Sequence, residues 1–175
     1  YDNEAYGNTG MQLSPATPYG ARTATSPCSL QHPSGASQEK KDIFEIWRAH
    51  KPPYIATVAP RYPLDLEEKF ARAAAFTGPK MFLTLAACPT GWLYDSGETP
   101  EVAKLAVETG LWPLKEAING VVTHTYVPKR KPVEAYLKLQ GRFRHLFEPT
   151  VQTEAIQHIQ ARVDAYWERA TREGS

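Results

Sequence analysis

The amino-acid sequence predicts an α/β fold in which a parallel sheet is flanked by helices. Helix-like and strand-like segments alternate between residues 42 and 108, and both strand-like segments are short, nearly continuous apolar runs. Parallel strands are covered by helices on both faces, so their residues are apolar throughout rather than at alternate positions. A later Asn-Gly pair between two further strand-like runs predicts a hairpin, because both residues tolerate the positive φ angles of a tight turn.

Residues that start or stop helices bound the elements of the alternating region. Asp42 can cap the first helix, Pro63 stands where the second begins, and Gly78 follows its end. In the third helix we expect Thr99 to be the cap and Pro100 the first helical residue. The predicted order is a helix at 42–50, a strand at 54–58, a helix at 64–76, a strand at 81–87 and a helix at 99–108.

Beyond residue 111 the pattern changes to a hairpin followed by helices. The predicted elements are strands at 112–118 and 121–127 on either side of Asn119-Gly120, a short helix at 133–139 and a long helix at 150–171. The long helix is amphipathic, and we expect its apolar side to pack either on this chain or on a partner. That side comprises Ala155, Ile156, Ile159, Val163, Tyr166 and Trp167. We therefore divide the chain into a sheet-containing part, 1–111, and an extension of hairpin and helices, 112–175.

Length, composition and charge describe an ordinary globular domain. The chain has 175 residues, of which 42% are hydrophobic and 22% charged, with a net charge of +1. So small a net charge would not attract nucleic acid or an anionic membrane, and no apolar run has the length of a membrane span, about 20 residues. The two cysteines, Cys28 and Cys88, are too few for a disulfide framework. We therefore expect a cytoplasmic protein that binds neither nucleic acid nor membranes.

A long loop is predicted near the start of the chain. Residues 7–37 are rich in Gly, Ser, Thr and Pro and carry almost no charge. Loops of this length in compact domains are usually functional or disordered. The hydrophobic residues Met11, Leu13 and Tyr19 favour an ordered loop.

Two short segments could carry chemistry. Asp2 and Asn3 stand where a strand would end, at the edge of a sheet where α/β proteins bind ligands. Their oxygens suit a hard cation such as Mg²⁺, although the spacing alone favours a polar turn after a strand. Cys88 follows the second strand-like run and enters a Pro/Gly turn. It is either a small apolar core residue or a thiolate that the turn lifts toward a metal cluster.

Four stretches resemble one enzyme family. The run YDNEAYGNTG is similar to the closing half of the thiamine-diphosphate motif of 2-oxoacid:ferredoxin oxidoreductases, and MQLSPATPYGAR and ACPTGW resemble later segments of their β subunits. The block at 105–146 closely resembles the C-terminal region of pyruvate synthase β subunits. The resemblance implies the C-terminal half of such a subunit, with 1–111 forming the later part of its thiamine-diphosphate-binding fold. The family's Gly-Asp-Gly triplet, which lies upstream of this motif, does not occur in the chain.

The resemblance assigns roles to individual residues. It implies that the Asn3 side chain and the Ala5 carbonyl bind the Mg²⁺ that bridges the cofactor's diphosphate. Asn8 would be the catalytic residue, facing the thiazolium ring and the substrate, and Thr9 and Gly10 would shape the floor of the pocket.

The resemblance also implies an iron–sulfur cluster. Cys88 would be one ligand of a [4Fe-4S] cluster whose other three cysteines lie in a part of the family's subunit that this chain does not contain. Cys28 matches no ligand of the family and is interpreted as an incidental thiol.

The implied activity is the oxidative decarboxylation of a 2-oxoacid, with electrons passing through the cluster to ferredoxin and the acyl group usually passing to coenzyme A. The implied partners are the other subunits of the oxidoreductase, of the α, γ and δ types. Pyruvate is the first choice of substrate, and oxalate, 2-oxoglutarate and branched-chain or aryl 2-oxoacids are alternatives. Gly7 and Pro15 depart from the family's usual Met and Gly and could mark a different acid. A non-catalytic assembly subunit that retains the fold is the alternative of another class.

Overall fold

The computed structural model describes residues 1–29 and 33–173, so part of the loop predicted at 7–37 lies outside the described residues. The helices are α1 (Ile43–Ala49), α2 (Pro63–Ala74), α3 (Pro89–Trp92), α4 (Thr99–Glu108), α5 (Glu134–Leu137) and α6 (Thr153–Glu173). The strands are β1 (Tyr54–Val58), β2 (Lys80–Thr84), β3 (Leu114–Ile118) and β4 (Val121–Tyr126). Short 3₁₀ helices lie at Gly7–Thr9, Ser96–Glu98 and Gly141–Leu146.

Within the described residues, the strands form one sheet in the order β2-β1-β3-β4. β1 and β2 are parallel, whereas β3 is antiparallel to both β1 and β4. The predicted α/β class is therefore confirmed, but the sheet is mixed rather than purely parallel. After α4 the chain enters β3 beside the end of β1, so β3 runs back along β1 in the opposite direction. At this point the Thr57 hydroxyl donates to the Pro113 carbonyl at 2.6 Å and accepts from the Lys115 amide at 2.9 Å.

The predicted hairpin is confirmed and extends this sheet. Asn119 and Gly120 join β3 to β4 with φ angles of 50° and 86°, as a two-residue turn between twisted strands requires. β3 lies after the predicted division at residue 111, and it pairs with β1, which lies before that division. The division into 1–111 and 112–175 stays a prediction.

Most helix boundaries follow the predicted signals. The Asp42 carboxylate accepts a hydrogen bond from the Glu45 amide at 3.0 Å, so it caps α1 as expected, and α2 begins at Pro63. The prediction for α4 is wrong in one detail, because Glu98 occupies the capping position and Thr99 is already helical. A 3₁₀ turn at Ser96–Glu98 runs directly into α4, and the Thr99 hydroxyl donates back to the Ser96 carbonyl at 2.8 Å.

The apolar side of α6 packs on this chain, which decides between the two expectations for it. Its residues Ala155, Ile156, Ile159, Val163 and Trp167 are buried in the same cluster as the inner face of α4, and Tyr166 is partly buried against that cluster. None of the helices in the described ranges is long and apolar enough to cross a membrane.

Strand β2 is shorter than predicted, because its last apolar residues pair with the start of the chain instead. Leu85 forms an isolated parallel bridge with Asp2. The Asp2 amide donates to the Thr84 carbonyl at 2.8 Å, and the Ala86 amide donates to the Asp2 carbonyl at 2.9 Å. The N-terminal motif therefore begins at the carboxyl end of β2.

Candidate functional site

A tight turn at Asn3–Ala5 forms the centre of the site. The Asp2 carboxylate accepts from the Glu4 amide at 2.9 Å, and the Asn3 side-chain oxygen accepts from the Ala5 amide at 3.4 Å. Glu4 has a φ of 62°, a left-handed conformation that is unfavourable for a residue with a Cβ. The turn reverses the chain immediately after the strand-like residue Asp2, and it leaves Asn3 and Ala5 half-buried on either side of the buried Glu4.

Charged groups from distant segments surround Glu4. The Lys40 ammonium lies 2.6 Å from Glu4 Oε1 and 2.8 Å from Asp2 Oδ2, and the Arg142 guanidinium lies 2.6 Å from Glu4 Oε2. Burial opposes ionisation of Glu4, but Lys40 and Arg142 outweigh it and hold the pKa of this carboxyl below its ordinary value. The site therefore contains a buried ion network in which the two cations favour the ionised form of the Glu4 carboxyl.

The turn that carries Cys88 lies against the same segment. The Trp92 indole N–H donates to the Asn3 carbonyl at 2.9 Å, and Trp92 is fully buried. Arg142 stacks on the Trp92 ring with its guanidinium carbon 3.9 Å from the ring centre. The two motifs singled out in the sequence, at Asn3 and at Cys88, are thus brought together by Trp92.

Cys88 occupies the capping position of α3. Its half-buried Sγ accepts a hydrogen bond from the Gly91 amide at 3.4 Å. The described residues contain no group of three or more His, Cys, Asp or Glu side chains that could hold a metal ion. Cys88 fits the role of a single cluster thiolate, since hydrogen bonds to sulfur are a normal feature of such ligands, and a cubane cluster would need three thiolates from elsewhere.

Two glycines permit the close packing of this region. A Cβ at Gly91 would lie 1.9 Å from the Met11 Cε, so the loop after the first motif rests directly on the Cys88 turn. A Cβ at Gly7 would lie 2.8 Å from the Asn3 side-chain nitrogen. Gly7, which departs from the usual Met of the family that the sequence resembles, therefore lies next to the predicted Mg²⁺ ligand.

The remaining predicted site residues lie at the tip of a loop. Asn8 and Thr9 belong to the short 3₁₀ helix, Gly10 follows with a φ of 107°, and all three are exposed. The loop is closed at its base by an antiparallel bridge between Tyr6 and Gln12. Any contact of Asn8, Thr9 or Gly10 with a cofactor would be made from this solvent-facing loop.

The donors at the Asn3 turn fit a magnesium ion. An amide oxygen and a backbone carbonyl are hard ligands of the kind that Mg²⁺ takes. Among the described residues, the Asn3 side-chain oxygen accepts only the long 3.4 Å bond from the Ala5 amide, which a cation could replace.

Glu4, Lys40 and Arg142 were not among the residues selected from the sequence. Glu4 lies inside the first motif, but nothing in its spacing distinguishes it from a polar turn residue. Lys40 and Arg142 reach it from a loop and from the 3₁₀ helix at Gly141–Leu146, and neither shows a periodicity that links them to residue 4.

Cys28, interpreted as an incidental thiol, lies in the described part of the loop at 7–37. It is half-buried, and burial raises the pKa of its thiol, which disfavours the thiolate form needed in a ligand. The adjoining part of this loop is held to the 3₁₀ helix by the Arg22 amide, which donates to the Arg142 carbonyl at 2.8 Å.

Comparison of the sequence with known proteins finds oxidoreductase subunits similar to this chain. No protein-family model matches the chain. The chain is 47% identical over 165 residues to pyruvate synthase subunit PorB of Methanocaldococcus jannaschii, a match covering 94% of this chain and 53% of that protein. It is 43% identical to the subunit of the same name from Thermotoga maritima, covering 97% and 52%, and 42% identical to ketoisovalerate oxidoreductase subunit VorB of Pyrococcus abyssi, covering 97% and 53%. The chain spans about half the length of these curated relatives.

Proposed function

This chain belongs, over the length that it shares with these relatives, to the 2-oxoacid:ferredoxin oxidoreductase β subunits, and we propose that it forms part of an enzyme that oxidatively decarboxylates a 2-oxoacid. The observation that carries the proposal is the hydrogen bond from Trp92 to the Asn3 carbonyl at 2.9 Å. It connects the turn at Asn3, whose oxygen atoms suit Mg²⁺, to the turn that carries the Cys88 thiol. The proposed oxidative decarboxylation needs both a metal-bound cofactor and an iron–sulfur cluster.

The Asn3 turn would hold the diphosphate end of thiamine diphosphate through Mg²⁺. Bound there, the cofactor would supply the carbanion chemistry of the decarboxylation. The Asn3 side-chain oxygen and the Ala5 carbonyl would be two of the metal's oxygen ligands. Asn8, from its exposed loop, would face the thiazolium ring and the substrate, and Thr9 and Gly10 would line the floor of the pocket.

Cys88 would contribute one thiolate to a [4Fe-4S] cluster that accepts the electrons. Its position on the turn that contacts Asn3 through Trp92 would place the cluster near the cofactor site. The electrons would pass on to ferredoxin, and the acyl group to coenzyme A. The other thiolates and the rest of the active site would come from the remainder of the subunit and from partner subunits of the α, γ and δ types.

Pyruvate is the proposed substrate, and a branched-chain 2-oxoacid is the main alternative. The relatives named for pyruvate and for ketoisovalerate are similar to this chain to nearly the same degree, 47% and 42%. Gly7 beside Asn3, and Pro15 in the loop that follows, are the positions at which this chain could differ in its choice of acid.

The two cysteines provide a matched test of the cluster assignment. Cys88→Ala, in the purified complex that contains this chain, should lose the cluster's electron-paramagnetic-resonance signal and reduce ferredoxin reduction at least about a hundredfold, because a cubane needs four thiolates. Cys28→Ala should keep both the iron content and the rate. Full iron content and an unchanged signal in Cys88→Ala would contradict the proposed role of Cys88.

A further inference from the structure

We propose that Lys40 and Arg142 are positioning residues that fix the backbone of Glu4 and thereby hold Asn3 and Ala5 in place for the Mg²⁺–diphosphate site. The inference rests on the proposed function. It concerns residues outside the motif that would bind the cofactor, and it assigns them a role through Glu4 rather than a direct contact.

The backbone of Glu4 is held in an unfavourable conformation. Its φ of 62° lies in the left-handed region, where residues with a Cβ are strained. Such strain persists only where the surroundings impose it, and it is concentrated at functional sites. If the turn relaxed at Glu4, the Asn3 side chain and the Ala5 carbonyl would no longer keep their relative positions.

Every polar group of Glu4 has a hydrogen-bonding or ionic partner among the described residues. Its amide donates to the Asp2 carboxylate at 2.9 Å, and its carbonyl accepts from the buried Thr17 hydroxyl at 2.7 Å. Of its two carboxylate oxygens, one meets Lys40 and the other meets Arg142, each at 2.6 Å. The side chain is therefore clamped between two cations, which resists rotation of the turn.

Arg142 is also held in place by residues other than Glu4. Its Nε donates to the Gln140 side chain at 2.8 Å, and its Nη2 donates to the Tyr136 hydroxyl at 3.2 Å. Its guanidinium stacks on Trp92, which donates to the Asn3 carbonyl. Arg142 thus contacts both Glu4 and Trp92, the residue that binds the Asn3 carbonyl.

Lys40 completes the clamp from the other side. Its ammonium bridges Asp2 and Glu4, whose carboxylates would otherwise repel one another in a buried place. Its side chain is 26% exposed, so it can be replaced with less disturbance than the buried Arg142. The neighbouring Lys41 is exposed; its backbone amide donates to the Pro15 carbonyl at 2.8 Å, and its backbone carbonyl accepts from the Ile43 amide at 3.0 Å.

The experiment measures Mg²⁺ and thiamine diphosphate binding by isothermal titration of the purified complex after removal of both. Lys40→Met should raise the Mg²⁺ dissociation constant about 10–100-fold, the usual effect of losing a group that orients metal ligands. Lys40→Arg, which restores the charge, should recover most of the affinity. Lys41→Met should bind as the unmodified complex does.

Equal affinity in Lys40→Met and Lys41→Met would overturn the inference while leaving the proposed function intact. A loss in Lys40→Met that Lys40→Arg does not repair would also overturn it, because the effect would then be one of packing. If Lys40→Met fails to assemble, Lys40→Gln is titrated instead with Lys41→Gln as its control, and equal affinity in those two variants would be the overturning result. An unmodified complex that binds neither Mg²⁺ nor thiamine diphosphate would overturn the proposed function itself.

Discussion

Single residues in this chain show how burial changes the behaviour of ionisable groups. Lys69 is fully buried, and its ammonium donates to the Thr57 carbonyl at 2.9 Å and to Asp65 at 2.7 Å. Burial lowers the pKa of Lys69, while Asp65 opposes that effect. Charged groups that are removed from water need such partners, because an unpaired buried charge is very costly. The same rule accounts for the complete pairing of Glu4.

His145 provides a pH-dependent test at the residue scale. It is partly buried with its Nε2 3.1 Å from the Ser34 carbonyl, and burial lowers the pKa of its imidazole. Because the unfolded chain takes up a proton on this side chain first, stability should fall as the pH drops below about 6.5, the ordinary pKa of histidine. The fall should continue until the pH passes the lower pKa of the folded state.

The comparison for this test is the exposed His50. His145→Gln should flatten the decline in thermal unfolding temperature between pH 7 and pH 5 in the full-length subunit, whereas His50→Gln should leave it unchanged. An identical decline in both variants would show that His145 does not contribute to it.

The residues of the candidate site were predictable to different extents. Asn3, Ala5 and Cys88 were selected because they lie in motifs, and the structure places both motifs around Trp92. Lys40 and Arg142 could not be selected in this way. Their function depends on tertiary contacts with Glu4, and a single sequence does not reveal which distant charges will pair.

At the scale of elements, α6 is fixed to the rest of the chain by a close contact. The Trp167 indole donates to the Gly110 carbonyl at 3.1 Å, and a Cβ at Gly110 would lie 2.4 Å from the Trp167 Nε1. Gly110 also has a φ of 82°. Glycine at position 110 therefore permits both the positive φ after α4 and the close packing of Trp167 from α6.

Gly110→Ala should destabilise the subunit more than Gly120→Ala. Both glycines have positive φ, at 82° and 86°, so both alanines carry the same backbone strain. No atom lies within 4 Å of a Cβ at Gly120, whereas one at Gly110 overlaps Trp167. Overpacking of this kind costs about 1–3 kcal/mol, and the difference between the two variants in denaturant unfolding of the full-length subunit should fall in that range. Equal destabilisation would mean that α6 is less closely packed than the structure indicates.

Local signals predicted the elements better than their pairing. Periodicity and turn residues located the strand Tyr54–Val58, the Asn-Gly turn and every α-helix of the described residues except the four-residue α3, which was predicted as a turn. They did not reveal that β3 would return antiparallel to β1, because that depends on where α4 ends in space. They also gave β2 too great a length, since Leu85 is apolar but pairs with Asp2 rather than with another strand.

At the scale of the whole molecule, the fold brings segments that are far apart in the sequence together at one turn. The mixed sheet positions the N-terminal turn at the carboxyl end of β2, and the 3₁₀ helix at Gly141–Leu146 brings Arg142 to it. The curated relatives are about twice as long as this chain, so the proposed activity belongs to a complete subunit within its complex. We propose that this chain carries the Mg²⁺ ligands Asn3 and Ala5, the cluster thiolate of Cys88 and the residues that position them.

The most direct test is an anaerobic assay of the native complex that contains this chain. Ferredoxin or dye reduction would be followed with pyruvate, 2-oxoglutarate, oxalate and branched-chain and aryl 2-oxoacids, each with and without coenzyme A. We predict turnover with a strong preference for one acid, which we expect to be pyruvate. After thiamine diphosphate and Mg²⁺ are removed, turnover should depend on adding both back. No turnover with any acid, in a complex shown to contain thiamine diphosphate and iron, would contradict it and favour a subunit that serves assembly alone.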